Sequence, residues 1–382
     1  MLARRLPSIS GLGCLLSVPA AGQSSPATPV GGTDTASSSA PSAARRVGSW
    51  SVQVELESGW DDNICELSDT DRDRVGDPLF ADQFKIQSPD DWFLEPSLRV
   101  GYARRSAARR RTAIRFDART TRYLENSIKN YEAYGVRFAQ DLTGAASRFG
   151  TRLILRGGYT PDFYLRELTV PQATLEQGRR VRDSSRYQET SLSAAVEQVL
   201  VPGRLELEGR LETERRDYFA PFDERDGDLT GYRVRLEWTP VTDRRFSVGA
   251  GFRQQSYDAA GDRAATPALE PDISSDRDEL ALGLGFRWAL DGRRGDARLE
   301  LSREEREFTS ADPIDRFHFG RNDTLTEYRL SIDQQVRRDL YLQMELRREQ
   351  NDSDLGRAPS ALSDDVTDYT RNVVSVSIGW RL

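Results

Sequence analysis

The chain has 382 residues, of which 37% are hydrophobic and 30% charged, and its formal net charge at pH 7 is −7. A mean hydropathy of −0.64 and the lack of any long apolar run exclude a bundle of membrane-spanning helices. The acidic balance argues against general nucleic-acid binding. One histidine and two cysteines are too few for a histidine-rich or cysteine–histidine metal site.

Residues 1–21 have the pattern of a secretory signal peptide. Arg4 and Arg5 form the charged start, residues 12–18 supply a short apolar core, and Val18-Pro19-Ala20 offers a small-residue cleavage site. A lipoprotein attachment at Cys14 is the weaker interpretation, because the apolar core continues beyond that cysteine. We therefore expect export from the cytoplasm.

Residues 22–46 are rich in Ser, Ala, Thr, Pro and Gly and have almost no large apolar side chain. Such a segment cannot bury enough surface to fold, which predicts a disordered periplasmic tether. Cleavage of the signal would leave Cys65 as the only cysteine, so no intramolecular disulfide is expected.

Residues 47–382 show a period of two along almost their whole length, and the last strand is the clearest case. Val374, Val376, Ile378 and Trp380 share one face, and small or polar side chains lie between them. The same alternation predicts fourteen strands, near residues 49–60, 92–103, 112–122, 132–142, 148–160, 187–199, 203–216, 230–240, 244–257, 278–290, 296–308, 325–337, 339–350 and 369–382.

The connections between these strands alternate in length. Short ones contain turn formers, such as Pro202-Gly203 and Asp291-Gly292, whereas the others are longer and polar. Short periplasmic turns and long external loops are typical of bacterial outer-membrane barrels, and an even strand number leaves both termini in the periplasm. The sequence therefore predicts an all-β fold. The predicted fold is a transmembrane antiparallel up-and-down β-barrel of fourteen strands over residues 47–382, in a Gram-negative outer membrane.

Tryptophans lie near the predicted strand ends, where amphipathic rings favour a membrane interface. The interpretation as two interfacial girdles competes with the simpler one that tryptophan happens to end strands. The predicted girdle residues are Trp50, Trp238, Trp288 and Trp380 at the periplasmic end and Trp60 and Trp92 at the external end.

The inward rows of the predicted strands are charged and of mixed sign. Such side chains can form cross-strand ion pairs that brace the wall, and they can also line a polar path whose charges set selectivity. The candidate lumen-lining residues are Arg152, Arg156, Arg204, Glu206, Glu208, Arg210, Glu212, Arg233, Arg235, Glu237, Arg298, Glu300, Arg329, Glu345 and Arg347.

Two further groups of residues are candidate sites. Asp69, Asp71 and Asp73 in the first long loop alternate as in the start of a calcium loop, but Arg74 stands where that motif has glycine, which favours a solvated acidic loop. His318 lies in a predicted external loop rather than on the barrel wall beside a serine, so we expect no hydrolase and no cofactor.

The end of the first strand carries a recognisable motif. Gly59-Trp60-Asp61-Asp62-Asn63-Ile64 resembles the opening Gly-aromatic-Asp-Asp/Ser-Asn-Val/Ile of a broad group of outer-membrane β-barrel porins, some of them linked to exopolysaccharide export. The barrels of surface-lipoprotein assembly modulators are similar, but they carry a helical-repeat domain where this chain has a short tether. The last strand resembles the signal read by the barrel-assembly machinery, although this chain ends in Leu382 rather than in an aromatic residue.

Together these features predict a passive channel or export porin for polar solutes or polysaccharide. The alternative is a plugged barrel with a structural, surface-assembly or protein-translocating role, closed by loops 161–186 or 258–277 or by arginine–carboxylate pairs. The expected partners are outer-membrane lipid and lipopolysaccharide, the barrel-assembly machinery and polysaccharide-export components, with no nucleic acid.

Overall fold

The structure is a computed structural model that describes residues 48–81, 83–106, 110–143, 149–169, 182–240, 245–260, 272–290, 292–311, 318–355 and 367–382. The predicted signal peptide and tether lie outside these residues. No described helix is long and apolar enough to cross a membrane.

Fourteen antiparallel strands form one closed barrel, in which each strand pairs with its neighbours in sequence and the last strand pairs with the first. The strands are β1 (Gly48–Asp61), β2 (Asp91–Arg105), β3 (Arg111–Tyr123), β4 (Tyr131–Asp141), β5 (Thr151–Thr169), β6 (Arg182–Val201), β7 (Leu205–Tyr218), β8 (Gly227–Trp238), β9 (Phe246–Ala259), β10 (Ser275–Leu290), β11 (Arg293–Phe308), β12 (Asn322–Gln335), β13 (Leu340–Asp354) and β14 (Tyr369–Arg381). The helices are short: α1 is Asp69–Arg72, and single 3₁₀ turns occupy Ser127–Lys129 and Asp223–Arg225. The predicted fold class is confirmed.

The alternating sequence pattern separates an apolar outer face from a polar inner face. On β10, Leu280, Leu282 and Leu284 are 64%, 59% and 56% exposed, and the residues between them are Ala281 and Gly283. On β14, Val374, Val376 and Trp380 are exposed, whereas Ser375 and Ser377 are buried on the inner side. Because successive side chains of a strand point to opposite sides, each strand has one face toward the outside of the barrel and one toward the lumen.

The two ends of the barrel differ, and we name them after the strand connections that they hold. The turn end holds both described termini, where Val52 and Leu382 exchange backbone hydrogen bonds, together with short connections such as residues 202–204 and 336–339. The loop end holds the longer connections. The first of these, residues 62–90 between β1 and β2, is called L1 below.

Several strands extend further toward the loop end than the sequence pattern indicates. β5 and β6 have 19 and 20 residues, which at about 3.3 Å per residue is roughly 60 Å of strand. The segment 161–186, predicted as a loop, therefore contributes strand at both of its ends, and its centre lies outside the described residues. The sequence pattern does not predict these extensions because their residues are polar. Strand residues that face water on both sides lack the alternation of apolar and polar side chains.

Candidate functional site

Fourteen of the fifteen predicted lumen-lining residues lie on strands, at the positions that alternate with the exposed apolar row. They are Arg152 and Arg156 on β5, Glu206, Glu208, Arg210 and Glu212 on β7, Arg233, Arg235 and Glu237 on β8, Arg298 and Glu300 on β11, Arg329 on β12, and Glu345 and Arg347 on β13. Arg204 instead lies in the turn before β7 and is exposed, because Gly203 adopts a positive φ of 63° and reverses the chain there.

Opposite charges on neighbouring strands pair across the lumen wall. Arg152 bridges β4 and β6, with its Nε 2.8 Å from Asp141 and its Nη1 3.2 Å from Glu197. The pairs of Arg152 brace adjacent strands in register, in the way that opposite charges stabilise neighbouring strands of a sheet. Arg210 pairs at 2.6 Å with Glu208 of its own strand.

The loop end of the barrel is densely packed, and its centre is Arg371 of β14. The guanidinium donates to Asp61 of β1, with Nη2 2.6 Å from Oδ2, and its Nη1 lies 3.0 Å from Glu66 and 3.4 Å from Glu349. A second buried carboxylate, Asp323, is shared by Arg306 and Arg321 at the loop ends of β11 and β12. Both of these buried ion-pair groups therefore lie at the loop end of the barrel.

The motif at the end of β1 joins the first and last strands. Asp61 binds Arg371, and Asp62 accepts hydrogen bonds from the backbone and side chain of Asn372. The buried Asn63 side chain donates to the carbonyl of Thr370 at 3.0 Å and exchanges hydrogen bonds with the backbone of Leu67. The acidic and amide residues of the motif thus close the barrel seam and direct L1 inward.

L1 forms a small apolar core at the loop end. Its buried side chains pack with Tyr164 of β5; they are Ile64, Cys65, Leu67, Phe84 and Ile86. Further along the rim, Lys85 pairs with Asp183 of β6 at 2.6 Å. Because L1 begins at β1 and reaches β6, it covers the part of the loop-end opening between those strands.

Sequence reasoning missed this packing because it treated L1 as a solvated acidic loop. The available signal was the spacing of apolar residues among the carboxylates, at positions 64, 67, 80, 84 and 86. Two of the acidic residues pair with arginines close in sequence, Asp71 with Arg74 and Asp69 with Arg72, and Ser68 caps helix α1. Across the described ranges, no three His, Cys, Asp or Glu side chains are grouped so that they could hold a metal ion.

Two other residues of the loop end have defined surroundings. Burial raises the pKa of the Cys65 thiol to about 11, because the thiolate would lose its hydration. His318 lies in the connection between β11 and β12, buried against the ring of Phe308 with ring centroids 5.0 Å apart. Both residues are therefore buried among other side chains of the loop end.

Two patches of the lumen wall have a distinct composition, one lined by small residues and one basic. On β9 and β10, Gly249, Gly251 and Gly283 form a floor bordered by Arg235 and Glu300. We call this the glycine floor. A side chain at Gly283 would meet no atom within 4 Å, so the space above it is open lumen.

The second patch is basic and lies on β3, β4 and β5. Arg115, Arg137 and Arg156 are direct register partners on these three consecutive strands. Arg115 is paired with Asp117 at 2.8 Å, whereas Arg137 and Arg156 have no ion-pair partner among the residues that the structure describes. Arg156 was predicted as lumen-lining, but Arg137 was not singled out, since β4 shows a weaker charge pattern in sequence.

The predicted girdle tryptophans all lie on the outward-facing rows. Trp60 and Trp92 are register partners at the loop end of β1 and β2. Trp50 and Trp238, 73% and 47% exposed, lie near the turn end, as does Trp380. Trp288 is less exposed, because its ring covers Gly295 and its Nε1 donates to Gln334 at 2.8 Å.

The chain was compared with known proteins. No family model matches it, and no curated protein matches it. Among solved structures it is similar to an anion-selective porin from Comamonas acidovorans, with 10% identity, a TM-score of 0.40, and 88% of this chain and 100% of that chain covered. It is also similar to the outer-membrane channel DcaP of Acinetobacter baumannii (11% identity, TM-score 0.44, 89% and 99% covered) and to a Pseudomonas aeruginosa FadL homologue (11%, 0.43, 87% and 90%).

Proposed function

We propose that this protein is an outer-membrane β-barrel channel for polar solutes, with its turn end in the periplasm and its loop end outside the cell. The observation that carries the proposal is a closed fourteen-strand wall that is apolar outside and charged inside. In a lipid bilayer every backbone group must be paired within the protein, and a closed barrel is the only sheet that achieves this. Water and polar solutes favour the charged interior.

The lumen supports passive permeation rather than chemistry. At its turn-end half the charged side chains remain partly exposed: Arg298 and Asp296 on β11 are 38% and 34% exposed, and Arg152 and Glu197 are 32% and 34% exposed. Hydrated, mixed charges can pass polar or charged solutes without binding them tightly. Polysaccharide export is a narrower form of the same proposal, and it rests on the motif at residues 59–64.

L1 and the buried ion pairs around Arg371 favour a second candidate, a barrel closed at its loop end with a structural or assembly role. The sequence predicts closure by loops 161–186 or 258–277 or by arginine–carboxylate pairs, and the centres of both loops lie outside the described residues. Among the described residues, L1 and the ion pairs of Arg371 pack the loop end. The two candidates differ in one respect: in a channel L1 is a removable constriction, and in a plugged barrel it is one part of a permanent closure.

Single-channel recording in planar bilayers separates the two candidates. We would compare the natural protein with a Leu67→Asp/Phe84→Asp variant, which places carboxylates in the L1 core. A channel gives ohmic steps that are larger or more frequent in the variant and that change when Arg235 is replaced by Gln. Heat-modifiable, folded barrels that pass no current in either form would refute the channel and favour the plugged barrel.

A further inference from the structure

Two neighbouring arginines in the lumen lack a counter-charge. Arg137 on β4 and Arg156 on β5 are direct register partners, so their Cβ atoms are about 5 Å apart. Among the described residues neither has an ion-pair partner, and the Nε of Arg137 is buried without a hydrogen-bond partner. Like charges directly opposite each other on adjacent strands destabilise a sheet. The wall therefore maintains an unfavourable contact that no ion pair among the described residues relieves.

The carboxylates nearest to this pair are already engaged. Asp117 is 2.8 Å from Arg115, Glu197 is 3.2 Å from Arg152, and Glu208 is 2.6 Å from Arg210. Each of these distances is that of an ion pair, so the neighbouring pairs leave the positive charge of Arg137 and Arg156 in excess. An added anion is the simplest compensation.

The wall beside the pair carries hydroxyl side chains. On the loop-end side of the two arginines, Gly135 and Gly158 are register partners, and the Ser191 hydroxyl lies over Gly158, 2.5 Å from where a Cβ would stand. Ser193, the register partner of Arg156 on β6, adds a second short hydroxyl side chain. The two guanidinium groups and the neighbouring serine hydroxyls together offer several hydrogen-bond donors to an anion in the lumen.

We propose that Arg137 and Arg156, with the hydroxyls of Ser191 and Ser193 beside them, form an anion-binding subsite on the lumen wall. Its ligands are solutes bearing a carboxylate, phosphate or sulfate group, because guanidinium groups match those oxyanions with paired hydrogen bonds. The inference rests on the proposed channel function, since it names the class of solute that the channel would favour. The site itself can be tested without any conductance.

The first experiment measures binding by the temperature at which the barrel unfolds in detergent. Inorganic phosphate is compared with chloride at equal ionic strength for the natural chain, for Arg137→Gln/Arg156→Gln, and for Arg215→Gln/Arg303→Gln. The last variant removes two exposed arginines of the outer face, whose side chains are 59% and 61% exposed. We expect phosphate to raise the unfolding temperature of the natural chain and of this control, and not that of the lumen variant.

The same variants distinguish a binding role from a structural one. Without phosphate, Arg137→Gln should raise the unfolding temperature, because it removes the repulsion between like charges. A structural role predicts a fall instead. Arg137→Lys/Arg156→Lys should recover part of the phosphate response, since lysine keeps the charge but loses the paired hydrogen bonds.

Reversal potentials in a salt gradient then connect the site to permeation. We expect the anion preference of the open channel to fall in the Gln double variant and to persist in the outer-face control. A phosphate response that is absent from the natural chain, or that is unchanged in the Gln double variant, would overturn the subsite. A phosphate response without any conductance would retain the subsite and refute the channel.

Discussion

Asp61 and Arg371 form the closing contact of the barrel: the β14 guanidinium donates to both carboxylate oxygens of the last residue of β1. The Asp61 side chain is only 1% exposed, so its charge depends on this partner. Strand pairing between β1 and β14 runs from Gln53 to Asp61, and the ion pair therefore locks the loop-end limit of the seam. The same arginine holds Glu66, so one side chain links closure of the seam to the positioning of L1.

Replacing Arg371 with Met should strongly destabilise the barrel. It leaves Asp61 buried and unpaired, and breaking a buried ion pair in this way costs about 3–5 kcal/mol. The measurement is the free energy of unfolding in urea with the protein in detergent or lipid vesicles. Arg303→Met is the control, because its pair with Glu305 is exposed and should contribute about 0–1 kcal/mol.

The double variant Asp61→Asn/Arg371→Met adds a stricter test of the same contact. Once both charges are gone, no unpaired carboxylate remains at position 61, so the double variant should be more stable than Arg371→Met alone. Equal stability of the two would show that Asp61 is not the group that Arg371 neutralises.

The sequence is sufficient to predict the wall of the barrel, but not its loop end. Alternation on β10 and β14 is a local property, because every second residue faces lipid or lumen. The role of Arg371 depends on Asp61, which is 310 residues away in sequence, and no local pattern marks that partnership. Likewise, the apolar residues of L1 become a core only because Tyr164 of β5 meets them in the folded chain.

The candidate lumen residues show the same difference between what a local pattern predicts and what only the folded chain reveals. Arg156 was recognised because β5 alternates clearly, and the period assigns it to the inner face. Its lack of a counter-charge is visible only when β4 and β5 are in register, since Arg137 is its direct partner. Sequence thus predicts which face a charge occupies, and tertiary pairing decides whether that charge is neutralised.

Cys65 should be inert to thiol reagents in the folded protein. Its residue is 5% exposed, and burial raises the pKa of its thiol to about 11, so roughly one thiol in a thousand is ionised at pH 8. The measurement is the rate of reaction with a chromogenic disulfide at pH 8, in a Cys14→Ser background where Cys65 is the only thiol.

Unfolding in denaturant provides the positive control, since it should release the thiol for rapid reaction. The Leu67→Asp/Phe84→Asp variant should react at an intermediate rate, because it loosens the L1 core around the cysteine. Rapid reaction of the natural, folded protein would show that L1 does not stay packed at the loop end.

The glycine floor should control the width of the permeation path. Gly283→Phe adds a ring where no atom lies within 4 Å of the new Cβ, so the barrel can accept it and the ring projects into the lumen. Single-channel conductance should fall, with no loss of heat-modifiable folded protein. A conductance equal to that of the parent would place the path away from β9 and β10.

Gly209→Phe is the matched control for this substitution. It too meets nothing within 4 Å, but Gly209 lies on the outward-facing row of β7 between Leu207 and Leu211. Its ring would enter lipid, where an aromatic side chain is favourable. Conductance should therefore stay at the value of the parent channel.

The orientation of the barrel can be tested with two single cysteines introduced in the Cys14→Ser background. Leu79→Cys lies in L1 at a position that is 70% exposed, and Arg338→Cys lies in the exposed turn between β12 and β13. With the loop end outside the cell, a membrane-impermeant maleimide added to intact cells should label the first cysteine and spare the second. Lysed cells should label both, and the buried Cys65 should contribute no background. Labelling of Arg338→Cys alone in intact cells would mean that the short turns face outward, which contradicts the proposed topology.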